Sequence, residues 1–118
     1  MNKEFDIVVH GATGFTGRLV VEYLMARYPQ GAGATVRWAM GGRSAEKLAA
    51  VRDEIGAPRD TPLVVTDGTD VASLRALTDR TRLVLTTVGP YQLYGNELVA
   101  ACAASGTDYV DLCGEPVW

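Results

Sequence analysis

A glycine-rich turn stands between an apolar run and an amphipathic stretch near the start of the chain. Residues 5–9 have the composition of a buried strand, and they lead into Gly11-Ala12-Thr13-Gly14-Phe15-Thr16-Gly17. Glycines let the backbone turn sharply and approach a phosphate closely, and the next helix supplies free N–H groups and a partial positive charge. The sequence therefore predicts that these seven residues form a pyrophosphate-binding loop.

The three glycines have the spacing G-x-x-G-x-x-G rather than the more familiar G-x-G-x-x-G. A triple-glycine loop alone is a weak signal, and a structural tight turn is the alternative. The strand before it and the helix after it favour the phosphate-binding interpretation. His10 directly precedes the loop, where a lone histidine is more often a packing residue than a catalyst.

Short β-like runs alternate with stretches of helical periodicity along the rest of the chain. The predicted strands are residues 5–9, 35–40, 63–66, 83–87 and 107–112. This alternation, with right-handed crossovers, predicts an α/β fold: a Rossmann-type doubly wound parallel sheet in the order 3-2-1-4-5. With 118 residues, the chain is interpreted as one NAD(P)-binding domain, residues 1–118.

Four helices are predicted between these strands, the first over residues 14–28, the second capped by Ser44 and the third by Asp70. The residues expected to face the core are Gly17, Val20, Val21, Leu24, Leu48, Val51, Ile55, Val71, Leu74, Leu77, Leu98, Ala101 and Cys102.

Charge and composition argue against several classes of function. Eleven basic against fourteen acidic residues give a net charge of −3, which argues against electrostatically driven nucleic-acid binding. No apolar run approaches the length of a membrane span, and the first residues lack the layout of a signal peptide, so a cytoplasmic protein is predicted. Two cysteines without a C-x-x-C pair, and one histidine, predict no metal site and buried, reduced thiols.

The residues after the second predicted strand indicate which cofactor to expect. An NAD site places an acidic residue here for the ribose 2′-OH, whereas this chain has Gly42-Arg43-Ser44. The Arg43 guanidinium and the Ser44 hydroxyl can donate to a 2′-phosphate, so the sequence predicts NADP. In the alternative interpretation Arg43 is a solvated surface residue and Ser44 only caps the second helix.

Other strand ends carry further candidates. Asp67 either accepts a hydrogen bond from the adenine amino group or belongs to an ordinary turn. Val88, Gly89 and Pro90 would bring the backbone close to the nicotinamide ribose, and Tyr91 would stack on the cofactor or reach the substrate. The alternative is a turn with a packed aromatic ring. No catalytic residue is assigned.

Four segments together resemble the NADP-binding domain of the saccharopine dehydrogenase-like oxidoreductases, most nearly the trans-acting enoyl reductases that act beside polyketide synthases. They are residues 6–17, Gly42-Arg43-Ser44, Thr87-Val88-Gly89-Pro90-Tyr91 and residues 106–115. The last two are much more specific than the first, which many Rossmann families share. Cys113 stands where threonine is expected.

The resemblance implies a longer protein in which a second α/β domain follows and closes over the cofactor. It also implies hydride transfer from NADPH, in the enoyl reductases to a carbon–carbon double bond of an acyl or other small-molecule substrate. The chain would then be the N-terminal part of an enzyme. Its exposed sheet edge beside the fifth strand is a candidate surface for pairing with another copy.

Two other functions remain open. A stand-alone module that senses NADP and regulates a partner would use the same loop. A short-chain dehydrogenase also uses G-x-x-G-x-x-G, but no tyrosine here has lysine four residues later, as the catalytic Y-x-x-x-K requires. That absence is weak evidence, since the motif would lie beyond most of this chain.

Overall fold

Five parallel strands form one sheet with four helices between them in the computed structural model, which describes residues 3–29, 35–67, 70–87 and 91–111. The elements are β1 (Phe5–His10), α1 (Phe15–Arg27), β2 (Trp38–Gly42), α2 (Ala45–Glu54), β3 (Leu63–Val65), α3 (Val71–Arg80), β4 (Thr81–Thr86), α4 (Tyr91–Ser105) and β5 (Asp108–Asp111). The strand order is β3-β2-β1-β4-β5. The predicted fold class and strand order are confirmed.

The central strand β1 is buried on both faces. Val8 and Val9, which follow each other in β1, are both 0% exposed and belong to two separate core clusters. Val8 packs with residues of α3 and α4, and Val9 packs with residues of α1 and α2. Because helices cover both faces of the sheet, the consecutive residues Ile7, Val8 and Val9 are all apolar.

Most of the predicted inward positions on the helices are confirmed. Val20 and Ile55 are partly buried against the core, and the other predicted positions except Val71 are buried. Val71 is the exception, at 59% exposed. It occupies the first turn of α3, and the buried face of that helix is instead completed at its other end by Thr78.

Strand β2 lies further along the chain than the sequence predicts. It was expected over residues 35–40, but the structure begins it at Trp38 and continues it through Gly41 and Gly42. Glycine weakens a strand, so the pair was expected to end it. Here glycine is favoured within the strand by close packing, since a Cβ on Gly41 would lie 3.0 Å from the Val8 side chain. The strand thus extends toward the same edge as the glycine loop.

A polar network lies at the amino ends of the strands, opposite the glycine loop. The Lys3 ammonium donates to the carbonyl oxygens of Thr78 (2.9 Å) and Ser105 (3.4 Å), at the ends of α3 and α4. The Thr107 hydroxyl is buried beside it and lies 2.6 Å from the Thr78 carbonyl oxygen. Carbonyls that have no partner within their own helix are therefore satisfied at this edge.

No helix in the described ranges is both long enough and apolar enough to cross a membrane. Cys102 is buried in the core, as predicted, and burial raises the pKa of its thiol to about 11, which keeps it protonated. The second cysteine, Cys113, lies outside the described residues.

Candidate functional site

The glycine loop is attached to β2 through one carbonyl oxygen. The backbone N–H groups of Gly11 and Ala12 both donate to Gly41, at 2.9 and 3.0 Å. Gly11 has φ +91°, a conformation that side chains rarely allow. The loop then closes on itself, because the Gly14 N–H donates to the Gly11 carbonyl at 3.1 Å.

The start of α1 lies directly on this loop. A Cβ on Gly17 would overlap the carbonyl oxygen of Gly11 and lie 2.8 Å from the Ala12 Cα. Gly14 differs, since its backbone is extended and a Cβ there would lie 3.5 Å from its nearest neighbour, an ordinary contact. Backbone conformation thus explains glycine at position 11 and close packing explains it at position 17, but neither explains it at position 14.

The first turn of α1 presents free hydrogen-bond donors. The earliest amide of this helix to bond back along the chain is that of Arg18, which donates to Gly14 at 2.9 Å. In the described part of the chain, the amides of Phe15, Thr16 and Gly17 donate to no carbonyl. Gly14 provides no capping side chain, and the first turn carries no acidic residue. Free amides at the positive end of a helix form a site suited to an anion.

Side chains of the predicted loop residues take different positions. Phe15 is 79% exposed at the start of α1, and Thr16 is also exposed. Thr13 is half-buried. Ala12, by contrast, is 0% exposed and packs into the core cluster beneath α1 and α2, so only its backbone remains at the loop.

Arg43 and Ser44 lie at the same edge as the loop, because His10 at the end of β1 pairs with Gly41 in β2. Arg43 is exposed and forms no ion pair with another described residue. Ser44 caps α2, its Oγ accepting from the Lys47 amide at 3.2 Å. The predicted cap is confirmed, and the hydroxyl proton still provides a donor.

Asp67 follows β3 at the same end of the sheet as Arg43, because Gly42 in β2 pairs with Val65 in β3. Its amide donates to the Ser73 Oγ at 2.9 Å, and its carbonyl accepts from the Asp70 amide at 3.1 Å. Asp70 caps α3 as predicted, accepting from the Ala72 amide. Ser73 and Asp70 thus hold the Asp67 backbone, and the contact of Asp67 with adenine stays a prediction.

The end of β4 borders the loop on its other side. Thr87 donates to the carbonyls of His10 and Gly11. Val88, Gly89 and Pro90 lie outside the described residues, as does the side chain of Tyr91, whose backbone begins α4. The roles predicted for these four residues stay predictions.

His10 is buried beside the loop, with 5% of its surface exposed. Burial lowers the pKa of its imidazole from 6.5 to about 4, so the ring is neutral at pH 7. Its Nδ1 forms no hydrogen bond within the described ranges. No described group of three or more His, Cys, Asp or Glu residues is arranged to hold a metal ion.

Residues 7–116 match the family described as the saccharopine dehydrogenase NADP binding domain. This chain belongs to that family. The predicted resemblance is confirmed, and so is NADP as the cofactor, because the matched family is an NADP-binding domain.

Relatives of this NADP-binding domain include longer mycobacterial proteins. A Mycobacterium tuberculosis protein provisionally named a trans-acting enoyl reductase is 50% identical over 117 residues, which cover 98% of this chain and 27% of the relative. A Mycobacterium bovis trans-acting enoyl reductase is 50% identical over 114 residues, covering 96% of this chain and 26% of the relative. The chain thus spans about a quarter of their length.

Solved structures share the fold of the NADP-binding domain at lower identity. Apo saccharopine dehydrogenase (L-Glu forming) from Saccharomyces cerevisiae is 16% identical with a TM-score of 0.69, over 95% of this chain and 22% of that one. Triphenylmethane reductase from Citrobacter sp., complexed with NADP(H), is 23% identical with a TM-score of 0.69, over 86% and 34%. Both similarities support the Rossmann-type architecture.

Substituting Gly17 by alanine is expected to destabilise the domain severely. The added methyl would overlap the Gly11 carbonyl oxygen, so the free energy of unfolding should fall by at least about 3 kcal/mol. Gly14→Ala is the matched control, and it should cost less than about 1 kcal/mol because that site has space and suitable backbone angles. Urea unfolding followed by circular dichroism measures both. Equal losses in the two variants would contradict this account of the loop.

The neutral, buried imidazole of His10 predicts that acidification weakens the fold. Between pH 6.5 and about 4 the unfolded chain takes up a proton that the folded chain does not, so stability falls as the pH falls. The loss attributable to His10 is on the order of 3 kcal/mol by the pKa difference. The free energy of unfolding of the wild type and of His10→Asn, measured across this pH range, gives the contribution of His10 by difference, since His10 is the chain's one histidine. Parallel pH profiles for the two proteins would refute it.

Proposed function

We propose that this chain is the NADPH-binding part of a hydride-transferring reductase, and that the whole protein is a trans-acting enoyl reductase. The observation that carries the proposal is 50% identity, over nearly the whole chain, to relatives with that name. The whole enzyme would reduce a carbon–carbon double bond in an acyl or other small-molecule substrate. The relatives are about four times longer, and in this proposal the substrate domain and the catalytic residues would belong to the part of the enzyme outside this chain.

The pyrophosphate would bind at the start of α1. The free amides of Phe15, Thr16 and Gly17 supply donors there, and the helix dipole favours negative charge. Gly14 would let the phosphates come close to the backbone, which accounts for the one loop glycine that neither packing nor a positive φ requires. Gly11 and Gly17 would support the site by shaping the loop.

The adenosine end would lie across β2 and β3. Arg43 is exposed and offers a planar fork of donors to the 2′-phosphate, and the Ser44 hydroxyl proton adds another. Asp67 would accept from the adenine amino group. At the other end of the dinucleotide, Val88-Gly89-Pro90 and Tyr91 would border the nicotinamide.

The same proposal includes a cytoplasmic location and an association between copies. β5 forms one edge of the sheet, and its Val110 is 40% exposed, which supports pairing through this edge. Neither is needed for the dinucleotide to bind.

The reaction is tested in the intact protein with NADPH and an α,β-unsaturated acyl thioester. Loss of NADPH absorbance should accompany formation of the saturated thioester, detected by mass spectrometry. A protein that binds NADPH but yields no reduced product with any enoyl acceptor would contradict the reductase assignment and favour a dinucleotide-sensing module.

Arg43→Ala is expected to weaken NADPH binding while leaving NADH binding unchanged. A charge-assisted hydrogen bond contributes about 1.5–3 kcal/mol, which corresponds to a roughly 10- to 150-fold rise in the NADPH dissociation constant. Calorimetric titration with each dinucleotide measures the effect. Lys47→Ala is the control for general loss of positive charge, since Lys47 lies one helical turn further along. Unchanged NADPH affinity in Arg43→Ala would remove the argument for selection by the 2′-phosphate.

A further inference from the structure

We propose that Thr87 is a positioning residue for the pyrophosphate loop. Its hydroxyl would hold the Gly11 peptide in the orientation that presents the free amides of α1 to the dinucleotide. The inference rests on the proposed binding of NADP at this loop, and it gives the residue directly after β4 a role in shaping the loop that follows β1.

Thr87 contacts the loop through both its backbone and its side chain. The backbone N–H donates to the His10 carbonyl at 2.9 Å. The hydroxyl lies 3.2 Å from the His10 carbonyl oxygen and 3.1 Å from that of Gly11. A hydroxyl has one proton to donate, so the two carbonyls share it. The side chain thus spans the point where β1 ends and the loop begins.

The Gly11 carbonyl is the part of the loop whose orientation matters most. It accepts from the Gly14 amide, and Gly17 lies so close to it that no side chain fits between them. Turning the Gly11 peptide would therefore move both ends of the turn that leads into α1. Glycine itself resists such rotation weakly, because it has no Cβ to limit φ and ψ. The orientation must be held by groups outside Gly11, and the Thr87 hydroxyl is one of them.

The sheet does not require this hydroxyl. β1 and β4 are already paired from Phe5 with Thr81 to His10 with Thr86, and the Thr87 amide supplies the His10 carbonyl with a partner. Both carbonyls would keep one N–H donor if the hydroxyl were removed. Loss of the hydroxyl should therefore loosen the loop while leaving the fold intact.

The test compares Thr87→Val with Thr87→Ser in the intact protein. Valine keeps the branched shape without the hydroxyl, and serine keeps the hydroxyl without the methyl. The two probes are NADP⁺ and adenosine 2′-monophosphate, which has the 2′-phosphate but no pyrophosphate. Dissociation constants come from calorimetry for NADP⁺ and from NMR titration for the monophosphate, with thermal unfolding recorded for each variant.

Thr87→Val should weaken NADP⁺ binding about three- to tenfold, the usual effect of one hydrogen bond, with adenosine 2′-monophosphate changed less than about twofold. Thr87→Ser should bind both probes as the wild type does. Wild-type affinity for NADP⁺ in Thr87→Val, or an equal loss for both probes, would overturn the proposal. A wild-type protein that fails to bind NADP⁺ would instead contradict the proposed function, so the two failures are distinguishable.

Discussion

The close approach of α1 to the carbonyl oxygen of Gly11 fixes the shape of the glycine loop and of the helix start that follows it. A side chain on Gly17 would overlap this oxygen, so helix and loop meet backbone to backbone. The same oxygen accepts from the Gly14 amide and lies within hydrogen-bond reach of the Thr87 hydroxyl. These contacts determine where the first helical turn begins. They leave its amides directed at the edge where parallel strands end, which is where ligands bind in sheets of this type.

Backbone groups without a partner in their own helix have different surroundings at the amino ends and at the carboxyl ends of the strands. Where the strands begin, the Lys3 ammonium and the Thr107 hydroxyl satisfy carbonyls at the ends of α3 and α4. Where the strands end, the first amides of α1 have no carbonyl partner among the described residues. A buried group left unpaired costs about 1–3 kcal/mol, whereas a group open to solvent costs little. Side chains of the protein satisfy the carbonyls at the amino ends of the strands, whereas the amides at the carboxyl ends keep free donors, which suit an anion.

Sequence reasoning predicted the fold class and the strand order because each depends on periodicity and on rules that hold for all parallel sheets. The predicted bounds of β2 were wrong, because glycine's low strand propensity does not take into account the Val8 side chain that packs against Gly41. The predicted burial of Val71 was also wrong, because periodicity alone does not reveal which end of α3 leaves the core. Thr87 was predicted as the end of the fourth strand and as part of a family motif but not as a contact of the loop, since no local pattern indicates a contact across 76 residues of chain.

The family, its NADP cofactor and the order of strands and helices could all be predicted from the sequence, because the four family segments and the alternating apolar runs are local patterns. The separate reasons for the loop glycines appear only in the folded chain, where Gly17 has no space for a side chain, Gly11 has a positive φ and Gly14 has neither constraint. The tertiary structure also separated Ser44 as a helix cap from Arg43 as an exposed cation. The physical reason is that steric space and hydrogen-bond partners come from segments distant along the chain, and they exist only once β1, β2 and β4 lie side by side.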